Sequence, residues 1–312
     1  MISMTSCPST DRNVKLNDRG VHNSVNHKFD TEVSECDFEE GHYARKLTAE
    51  EVYKLSKDTQ IVNDFKQKKL EKEAKKNWDL FYKRNETKFF KDRHWTTREF
   101  EELTSHYRIH NKIQDNQEKK LILLEVGCGV GNLIFPLIEE KTNMFIYACD
   151  FSPRAIQYLK DHHSYDDTKC FAFLCDLTQD NLAATIAPSS VDFVSMVFVL
   201  SAVHPEKMKA VLTNVHQVLK PGGLVLFRDY GLYDQAMLRF SPGHKLSENF
   251  YVRQDGTRAF YFSEEYLSML FKSAGYEVVA NKYVTRETVN KKEGVCVPRI
   301  FIQGKFCKLL SQ

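Results

Sequence analysis

Apolar residues between positions 121 and 306 fall into short runs that are separated by longer amphipathic segments. Runs with strand character cover residues 121–126, 145–149, 171–174, 193–200 and 224–227, and two more, at 276–280 and 299–306, follow an irregular insertion. Short apolar strands that alternate with helices are typical of a parallel α/β sheet. The pattern therefore predicts an α/β domain over residues 120–308 with seven strands, the last of them antiparallel, and an insertion near residues 232–262.

Turn-forming residues mark two places within this domain. The run Lys220-Pro221-Gly222-Gly223 predicts the turn that ends a helix before the fifth strand. Within the insertion, residues 249–253 and 257–262 flank an Asp-Gly pair at 255–256. Asp-Gly between two strand-like runs predicts a β-hairpin.

The chain before the α/β domain differs from it in composition and periodicity. Residues 1–45 are polar and show no sustained periodicity, which predicts a disordered tail. Thr48 and Glu51 form a capping-box pattern, and the composition from there to residue 84 favours helix. Ala74, Trp78 and Tyr82 recur every four residues, which places two aromatic side chains on one helical face. Residues 46–119 are therefore predicted to form a helical N-terminal extension.

Composition limits the class of protein. The chain has 312 residues, of which 42% are hydrophobic and 28% charged, as in a globular protein. Its longest apolar stretch, near residues 191–203, is interrupted by Asp192 and Ser195 and is shorter than the roughly 18 residues of a membrane span. The N-terminal residues lack the profile of a secretory signal. We therefore expect no membrane partner and a cytoplasmic location, with the nucleus as the alternative.

The net charge of +2 conceals opposite signs along the chain. Residues 46–120 contain nineteen basic and fourteen acidic residues, residues 121–237 contain eight and thirteen, and residues 238–312 contain twelve and seven. Basic segments around an acidic middle favour contact with an anion such as a nucleic-acid backbone. Solvated helix faces explain the same charges equally well, so charge alone leaves both interpretations open.

Cysteine and histidine positions give no sign of a metal site. The cysteines form no Cys-x-x-Cys pair, and several lie inside apolar runs, which predicts free thiols. The adjacent His162 and His163 have no Cys or carboxylate at a familiar zinc spacing. The eight cysteines are Cys7, Cys36, Cys128, Cys149, Cys170, Cys175, Cys296 and Cys307.

A glycine-rich loop follows the first predicted strand. Residues 125–132 read Glu-Val-Gly-Cys-Gly-Val-Gly-Asn and open a helix, so the backbone can pass close to a bound ligand. A dinucleotide-binding loop would have Gly or Ala three residues after Gly129, where this chain has Asn132. The spacing Gly-x-Gly-x-Gly, with Glu125 two positions ahead, favours S-adenosylmethionine over NAD.

Two further carboxylates follow the next strands. Asp150 ends the second predicted strand about twenty residues beyond the glycines, where it can accept hydrogen bonds from ribose hydroxyls. Asp176 ends the third and is placed to accept from an adenine amino group. An Asp after a strand is more often a helix cap. Three such features at successive strand ends nevertheless predict one cofactor site.

Several longer motifs resemble the eukaryotic tRNA 3-methylcytidine methyltransferases, over residues 47–306. The resemblance implies a seven-strand, Rossmann-like class I methyltransferase fold with an N-terminal helical and aromatic-basic extension. Within this family, the chain resembles the members that act on serine tRNAs. The matching runs are Asn77-Trp78-Asp79-Leu80-Phe81-Tyr82, Phe89-Phe90-Lys91-Asp92-Arg93-His94-Trp95, residues 125–132, Ala148-Cys149-Asp150-Phe151-Ser152-Pro153-Arg154-Ala155, Val199-Leu200-Ser201-Ala202-Val203-His204-Pro205 and Phe227-Arg228-Asp229-Tyr230-Gly231.

The resemblance also implies the reaction and its partners. The expected activity is methylation of ring nitrogen 3 of a cytidine in the anticodon loop, with S-adenosylmethionine as the donor. The expected partners are tRNA, with serine isoacceptors favoured, and seryl-tRNA synthetase, but not DNA. The residues expected at the cofactor are Trp78, Tyr82, Glu125, Gly127, Gly129, Gly131, Asp150, Asp176, Leu177 and Val197.

The residues expected to contact the substrate follow from the chemistry of this reaction. Cytosine N3 has a lone pair in its neutral form and gives a cationic product, so a carboxylate near the developing charge is more useful than a strong base. Asp229, at the end of the fifth strand, is the predicted catalytic carboxylate, placed to accept from the exocyclic amine, and Arg93 is predicted to reach the base carbonyl or a phosphate. The remaining predicted substrate contacts are Phe89, Phe90, His204, Arg228, Arg253 and Arg258, with Lys282, Arg286, Lys291 and Lys292 as further phosphate contacts. A core position for one of the two phenylalanines, a structural role for His204 and a solvated surface position for each late basic residue are the alternatives.

Two other functions are consistent with parts of the sequence. One is a methyltransferase that acts on a small molecule or a protein, which the basic flanks and the aromatic-basic block disfavour. The other is a non-catalytic adapter that binds only tRNA or the synthetase. The intact glycines, Asp150 and Asp176 argue against an adapter, because a chain released from catalysis need not retain them.

Overall fold

The structure is a computed structural model, and it describes residues 45–104, 120–290 and 295–310. The predicted tail up to residue 44, the end of the predicted extension at 105–119 and the predicted phosphate contacts Lys291 and Lys292 lie outside the described residues.

A seven-stranded mixed sheet forms the centre of the molecule, in the order β3-β2-β1-β4-β5-β10-β9. The first five strands are parallel, whereas β10 runs antiparallel to both β5 and β9. This confirms the predicted α/β class and strand count. The strands are β1 (Leu121–Val126), β2 (Met144–Asp150), β3 (Cys170–Leu174), β4 (Val191–Val197), β5 (Leu219–Tyr230), β9 (Tyr276–Asn290) and β10 (Val295–Lys308).

Apolar side chains cover both faces of this sheet. Along β1, Leu121 and Leu123 belong to one buried cluster, and Leu124 and Val126 belong to another. Side chains of a strand point alternately to its two sides. Both faces of the parallel strands are therefore buried, which explains their nearly continuous apolar sequences.

Helices flank the sheet and precede it. In the described part of the extension, residues 45–104, the helices are α1 (Ala49–Lys57), α2 (Asp64–Lys72), α3 (Ala74–Asn85) and α4 (Thr96–Glu99). The others are α5 (Ile134–Glu139), α6 (Pro153–Lys160), α7 (Pro205–Val218), α8 (Gln235–Leu238) and α9 (Glu264–Ser273).

The N-terminal extension begins as predicted and is then interrupted. Thr48 and Glu51 form the capping box, each side chain bonding to the backbone N–H of the other. Instead of one helix to residue 84, the structure has a break between α1 and α2. There Val62 is buried and donates its N–H to the carbonyl of Lys245, 2.8 Å away. The backbone bond to the insertion replaces helical bonds that composition alone favours.

The insertion contains the predicted hairpin and one further strand. β6 (Lys245–Ser247), β7 (Phe250–Val252) and β8 (Arg258–Phe260) form a small antiparallel sheet. The Asp255 carboxylate accepts from the N–H of Thr257, and Gly256 adopts φ +81° in the turn. The Asp-Gly turn is therefore confirmed.

Several strand ends differ from the sequence prediction. β4 ends at Val197, and residues 200–202 form a short 3₁₀-helix, because Phe198 leaves the strand with φ +59°. The last two strands continue well beyond the predicted runs, because they pair with each other along their length. The Pro-Gly-Gly turn lies at an irregularity near the start of β5, after α7 ends at Val218.

Other predictions concern thiols, metals and membranes. Cys128, Cys149, Cys170, Cys175 and Cys307 are free, as predicted. Within the described residues, no three His, Cys, Asp or Glu side chains are grouped so that they could hold a metal ion. No helix in the described part of the chain is both long and apolar enough to cross a membrane.

Candidate active site

The glycine-rich loop connects β1 to α5 and leaves almost no room for side chains. Gly127 and Gly129 have φ values of +60° and +55°, which favour glycine. A methyl group at Gly127 would come within 2.6 Å of Val199, and one at Gly129 within 2.9 Å of the Tyr82 hydroxyl oxygen. The loop therefore presents bare backbone to the space above it.

Asp150 lies beside this loop at the end of β2 and is buried. Its two carboxylate oxygens accept from the N–H of Gly129, at 3.0 Å, and from the N–H of Ser152, at 2.8 Å. Burial raises the pKa of Asp150 to about 6, against the lowering effect of these bonds. Each oxygen retains a lone pair for a ligand hydroxyl, so the position fits the predicted ribose contact.

The carboxylate of Asp176 is used by its own turn. It accepts from Thr178 and from the side chain of Gln179. Leu177 is half-buried and packs against the main core cluster. Neither residue lines the cleft described below, so their contacts with the cofactor stay predictions.

Aromatic residues of the extension cover the glycine loop. Trp78 and Tyr82 lie on α3, with ring centroids 6.2 Å apart, and Phe90 packs against the same cluster. Burial raises the pKa of the Tyr82 hydroxyl well above its ordinary value. Phe89 is exposed and packs on Phe81, so the aromatic cover is formed by Trp78, Tyr82 and Phe90.

Arg93 lines the site, and the buried acid Glu125 lies near it. Glu125, at the end of β1, is 2% exposed, and its Oε2 atom has no hydrogen-bond partner. Burial raises its pKa to about 8, although the nearby Arg93 favours ionisation. Arg93 donates to the carbonyl of Val197, at 3.2 Å, and its guanidinium lies 5.6 Å from the centre of the Phe198 ring.

A single cleft brings many of the predicted residues together. It lies between the aromatic cover, the glycine loop, the end of β4 and the insertion. Its lining includes predicted cofactor and substrate residues from the extension, the α/β core and the insertion. The complete lining, predicted and unpredicted residues together, is Trp78, Tyr82, Phe90, Arg93, Gly127, Cys128, Gly129, Asn132, Val197, Phe198, Ser201, Ala202, Tyr230, Arg253 and Arg258.

Asp229 is close to this cleft but does not line it. The side chain is fully buried, and its oxygens accept from the N–H groups of Ser201 and Tyr230, both at 2.9 Å. Burial raises its pKa to about 6, which the charge of Arg253 opposes. Because the carboxylate is fully buried in this conformation, its direct bond to an exocyclic amine stays a prediction.

Two predicted substrate contacts, Arg228 and His204, do not line the cleft and make structural contacts, so their contacts with substrate stay predictions. Arg228 is 3% exposed; it stacks on Trp95, 4.4 Å from the ring centre, and donates to Gln303. His204 caps α7, its Nδ1 accepting from the N–H of Glu206. In the sequence, both residues lie beside residues predicted at the site. In the structure, the Arg228 side chain packs against Trp95, and the His204 side chain caps the beginning of α7.

Two predicted basic residues do reach the cleft. Arg253 donates to the carbonyl of Arg258 and lies 5.5 Å from the centre of the Tyr230 ring. Arg258 forms an ion pair with Glu71 of α2 and donates to the carbonyl of Ala202. Hydrogen bonds and an ion pair within the protein hold both guanidinium groups in place beside the cleft.

Sequence reasoning missed the aromatic pair at the centre of the cleft. The rings of Phe198 and Tyr230 are half-buried and 5.1 Å apart. Phe198 lies inside an apolar run that the pattern assigned to a strand, and only its positive φ distinguishes it. Tyr230 directly follows Asp229, so its place at a strand end was a usable signal.

The site fits S-adenosylmethionine. The glycine backbone is open to close approach, Asp150 can accept from ribose, and Glu125 has an unpartnered buried oxygen beside the loop. Together with the strand order, these features define an S-adenosylmethionine-dependent methyltransferase.

Comparisons with known proteins agree. Residues 124–225 match a family model described as a methyltransferase domain. The chain is 62% identical over 268 residues to human tRNA N(3)-cytidine methyltransferase METTL6, covering 86% of this chain and 92% of that protein. It is 43% identical to the tRNA N(3)-methylcytidine methyltransferase trm141 of Schizosaccharomyces pombe, covering 80% and 98%.

The chain therefore belongs to the tRNA N(3)-cytidine methyltransferases. A solved Burkholderia thailandensis 1,6-didemethyltoxoflavin-N1-methyltransferase, with bound S-adenosylhomocysteine, shares the fold at a TM-score of 0.50 and 12% identity. The match covers 81% of this chain and 93% of that one.

Proposed function

We propose that the protein methylates N3 of a cytidine in the anticodon loop of serine tRNAs and that seryl-tRNA synthetase assists it. The identity to tRNA N(3)-cytidine methyltransferases supports the reaction. The observation on which the proposal rests is the cleft itself, where aromatic and basic side chains adjoin the glycine loop.

The cleft suits a base that has left its stack. The rings of Phe198 and Tyr230 provide apolar faces, and stacking on such rings contributes about 1–3 kcal/mol per base. Arg93 and Arg253 are donors beside these rings and suit the carbonyl of a pyrimidine. Extruding a base costs a few kcal/mol, and less from a loop than from a duplex.

The chain's own residues contribute position and electrostatics. S-adenosylmethionine supplies an electrophilic methyl group, and the N3 lone pair needs no prior deprotonation. Asp229 is buried behind Ser201 and Tyr230, where its negative charge favours a cation forming in the cleft. The aromatic cover from α3 excludes water from the glycine loop.

The decisive experiment uses the purified full chain, labelled S-adenosylmethionine and total tRNA, with and without seryl-tRNA synthetase. We expect 3-methylcytidine in the anticodon loop of serine tRNAs, formed faster with the synthetase. Nucleoside mass spectrometry identifies the product, and mapping of nuclease fragments locates it. A different modified nucleoside, or methylation confined to other tRNAs, would contradict the proposal.

A further inference from the structure

Asp79, in the middle of α3, connects the aromatic cover to the turn that holds Asp150. Its Oδ1 accepts from the Ser152 hydroxyl at 2.9 Å and from the N–H of Arg154 at 3.2 Å. Its Oδ2 accepts from Nε of Arg154 at 3.3 Å. One carboxylate of the extension therefore bonds the beginning of α6 at three donors.

The same turn orients the predicted ribose contact. Ser152 is fully buried and donates its N–H to Asp150, while its hydroxyl oxygen caps α6 by accepting from Ala155. Asp79 is thus one residue, Ser152, away from Asp150 in a continuous chain of hydrogen bonds. Burial opposes ionisation of Asp79, but these bonds and the Arg154 charge hold its pKa below the ordinary value.

The neighbours of Asp79 on α3 cover the glycine loop. Trp78 precedes it and Tyr82 follows one helical turn later, and both line the cleft. A shift of α3 away from α6 would therefore lift both rings from the loop. Apolar contacts of Phe81 and Tyr82 with Val130 and Ala155 also hold α3.

We propose that Asp79 is a positioning residue for the cofactor: it fixes α3 against the Ser152 turn, and it thereby keeps Trp78 and Tyr82 over bound S-adenosylmethionine. The main consequence is a slow dissociation of the cofactor. The proposal concerns the cofactor half of the site and is independent of which RNA is methylated.

The test measures cofactor binding by the full chain without RNA. The chain has two tryptophans, so a Trp95→Phe background makes Trp78 the sole fluorescent reporter of the cover. In Asp79→Ala we expect S-adenosylmethionine and S-adenosylhomocysteine to dissociate about tenfold faster, as for the loss of charge-assisted bonds. We also expect a red-shifted Trp78 emission, because the ring gains contact with water. Stopped-flow fluorescence measures the dissociation rates, and the emission spectrum of the folded protein measures the shift.

Two further variants grade the effect. Asp79→Asn keeps the acceptor for Ser152 but loses the charge beside Arg154, so its dissociation rate should lie between those of wild type and Asp79→Ala. Lys76→Ala is the matched control, since this exposed side chain on α3 pairs only with Glu73 within the described residues. It should leave the rate unchanged.

A purely structural Asp79 would behave differently. It would lower the melting temperature while leaving the dissociation rate and the Trp78 emission of the folded protein at wild-type values, and that result would overturn the proposal. If Asp79→Ala fails to fold, Asp79→Asn and Arg154→Ala decide instead. Wild-type dissociation rates in both would equally overturn it, whatever the outcome with tRNA.

Discussion

At the scale of single residues, the buried acid Glu125 has a measurable effect on stability. Its pKa is about 8 in the folded chain, against 4.5 as its ordinary value. Above pH 4.5 the unfolded chain releases this proton and the folded chain keeps it, so the stability that Glu125 contributes is lost as pH rises towards 8.

Between pH 6.5 and 8 we therefore expect the free energy of unfolding of the free protein to fall, by up to about 1.4 kcal/mol per pH unit. Asp150 and Asp229, whose pKa values are about 6, are mostly ionised in this range and contribute less to the slope as pH rises. The variant Glu125→Gln should flatten the slope, which urea unfolding at several pH values measures. An identical slope in both proteins would show that Glu125 is ionised in the fold.

Asp229 is expected to affect turnover through its charge. In Asp229→Asn, kcat at saturating cofactor should fall roughly 10- to 100-fold, because the buried anion that favours the cationic product is gone. Calorimetry should show nearly unchanged affinity for S-adenosylmethionine, since the side chain does not line the cleft.

The pH profile provides the control. In its proposed role Asp229 acts in its ionised form, so we expect kcat of the wild type to rise with pH through about 6. The variant should lose this step. Asp150 also titrates near 6, but saturating cofactor removes its effect from kcat. A step that persists in Asp229→Asn would assign the titration to another group.

At the scale of elements, α2 holds the insertion side of the cleft through Glu71. This carboxylate pairs with Arg258 of β8 and with Lys207 of α7. Arg258 itself lines the cleft and is almost fully buried. The helix therefore fixes a cleft cation across two other elements.

We expect Glu71→Gln to raise KM for tRNA several-fold and to lower the free energy of unfolding by about 1–3 kcal/mol. Cofactor affinity should be unchanged. Combining it with Arg258→Gln should add little to either single variant, whereas additive effects on KM would show that the two residues act separately. Lys207→Ala, which leaves the Arg258 pair intact, is the matched control.

How far the sequence predicts these elements depends on where their side chains point. The strands, the glycine loop and the Asp-Gly hairpin follow local rules of periodicity and turn chemistry, and all were predictable. The break at Val62 and the orientations of Arg228 and His204 depend on tertiary contacts with residues far along the chain. The local sequence pattern does not predict those contacts. The same is true of Phe198, whose strained backbone is invisible in an apolar run.

At the scale of the whole molecule, charge is distributed more unevenly than the net value of +2 suggests. The segments on both sides of the acidic core are basic, and Arg93, Arg253 and Arg258 from these segments meet in the cleft. If the flanks contact phosphates, binding of tRNA releases condensed cations and becomes sensitive to salt.

We expect the logarithm of the tRNA association constant to fall linearly with the logarithm of salt concentration, with a slope of about −0.7 to −0.9 per phosphate contact. Cofactor binding should vary far less over the same range. Fluorescence anisotropy and calorimetry measure the two. A tRNA affinity that hardly changes with salt would show that the basic flanks do not contact phosphates.

The cover of the cleft has one more consequence, for synthesis of the chain. Trp78 and Tyr82 leave the ribosome before any strand of the sheet, yet the surface on which they rest is completed only by residues beyond 127 and, on the insertion side, beyond 253. The aromatic cover of the cleft is thus synthesised well before the glycine loop on which it packs. Until the later strands assemble, the nascent extension therefore exposes the aromatic faces that later pack on the glycine loop, and such exposed apolar surface favours aggregation during folding.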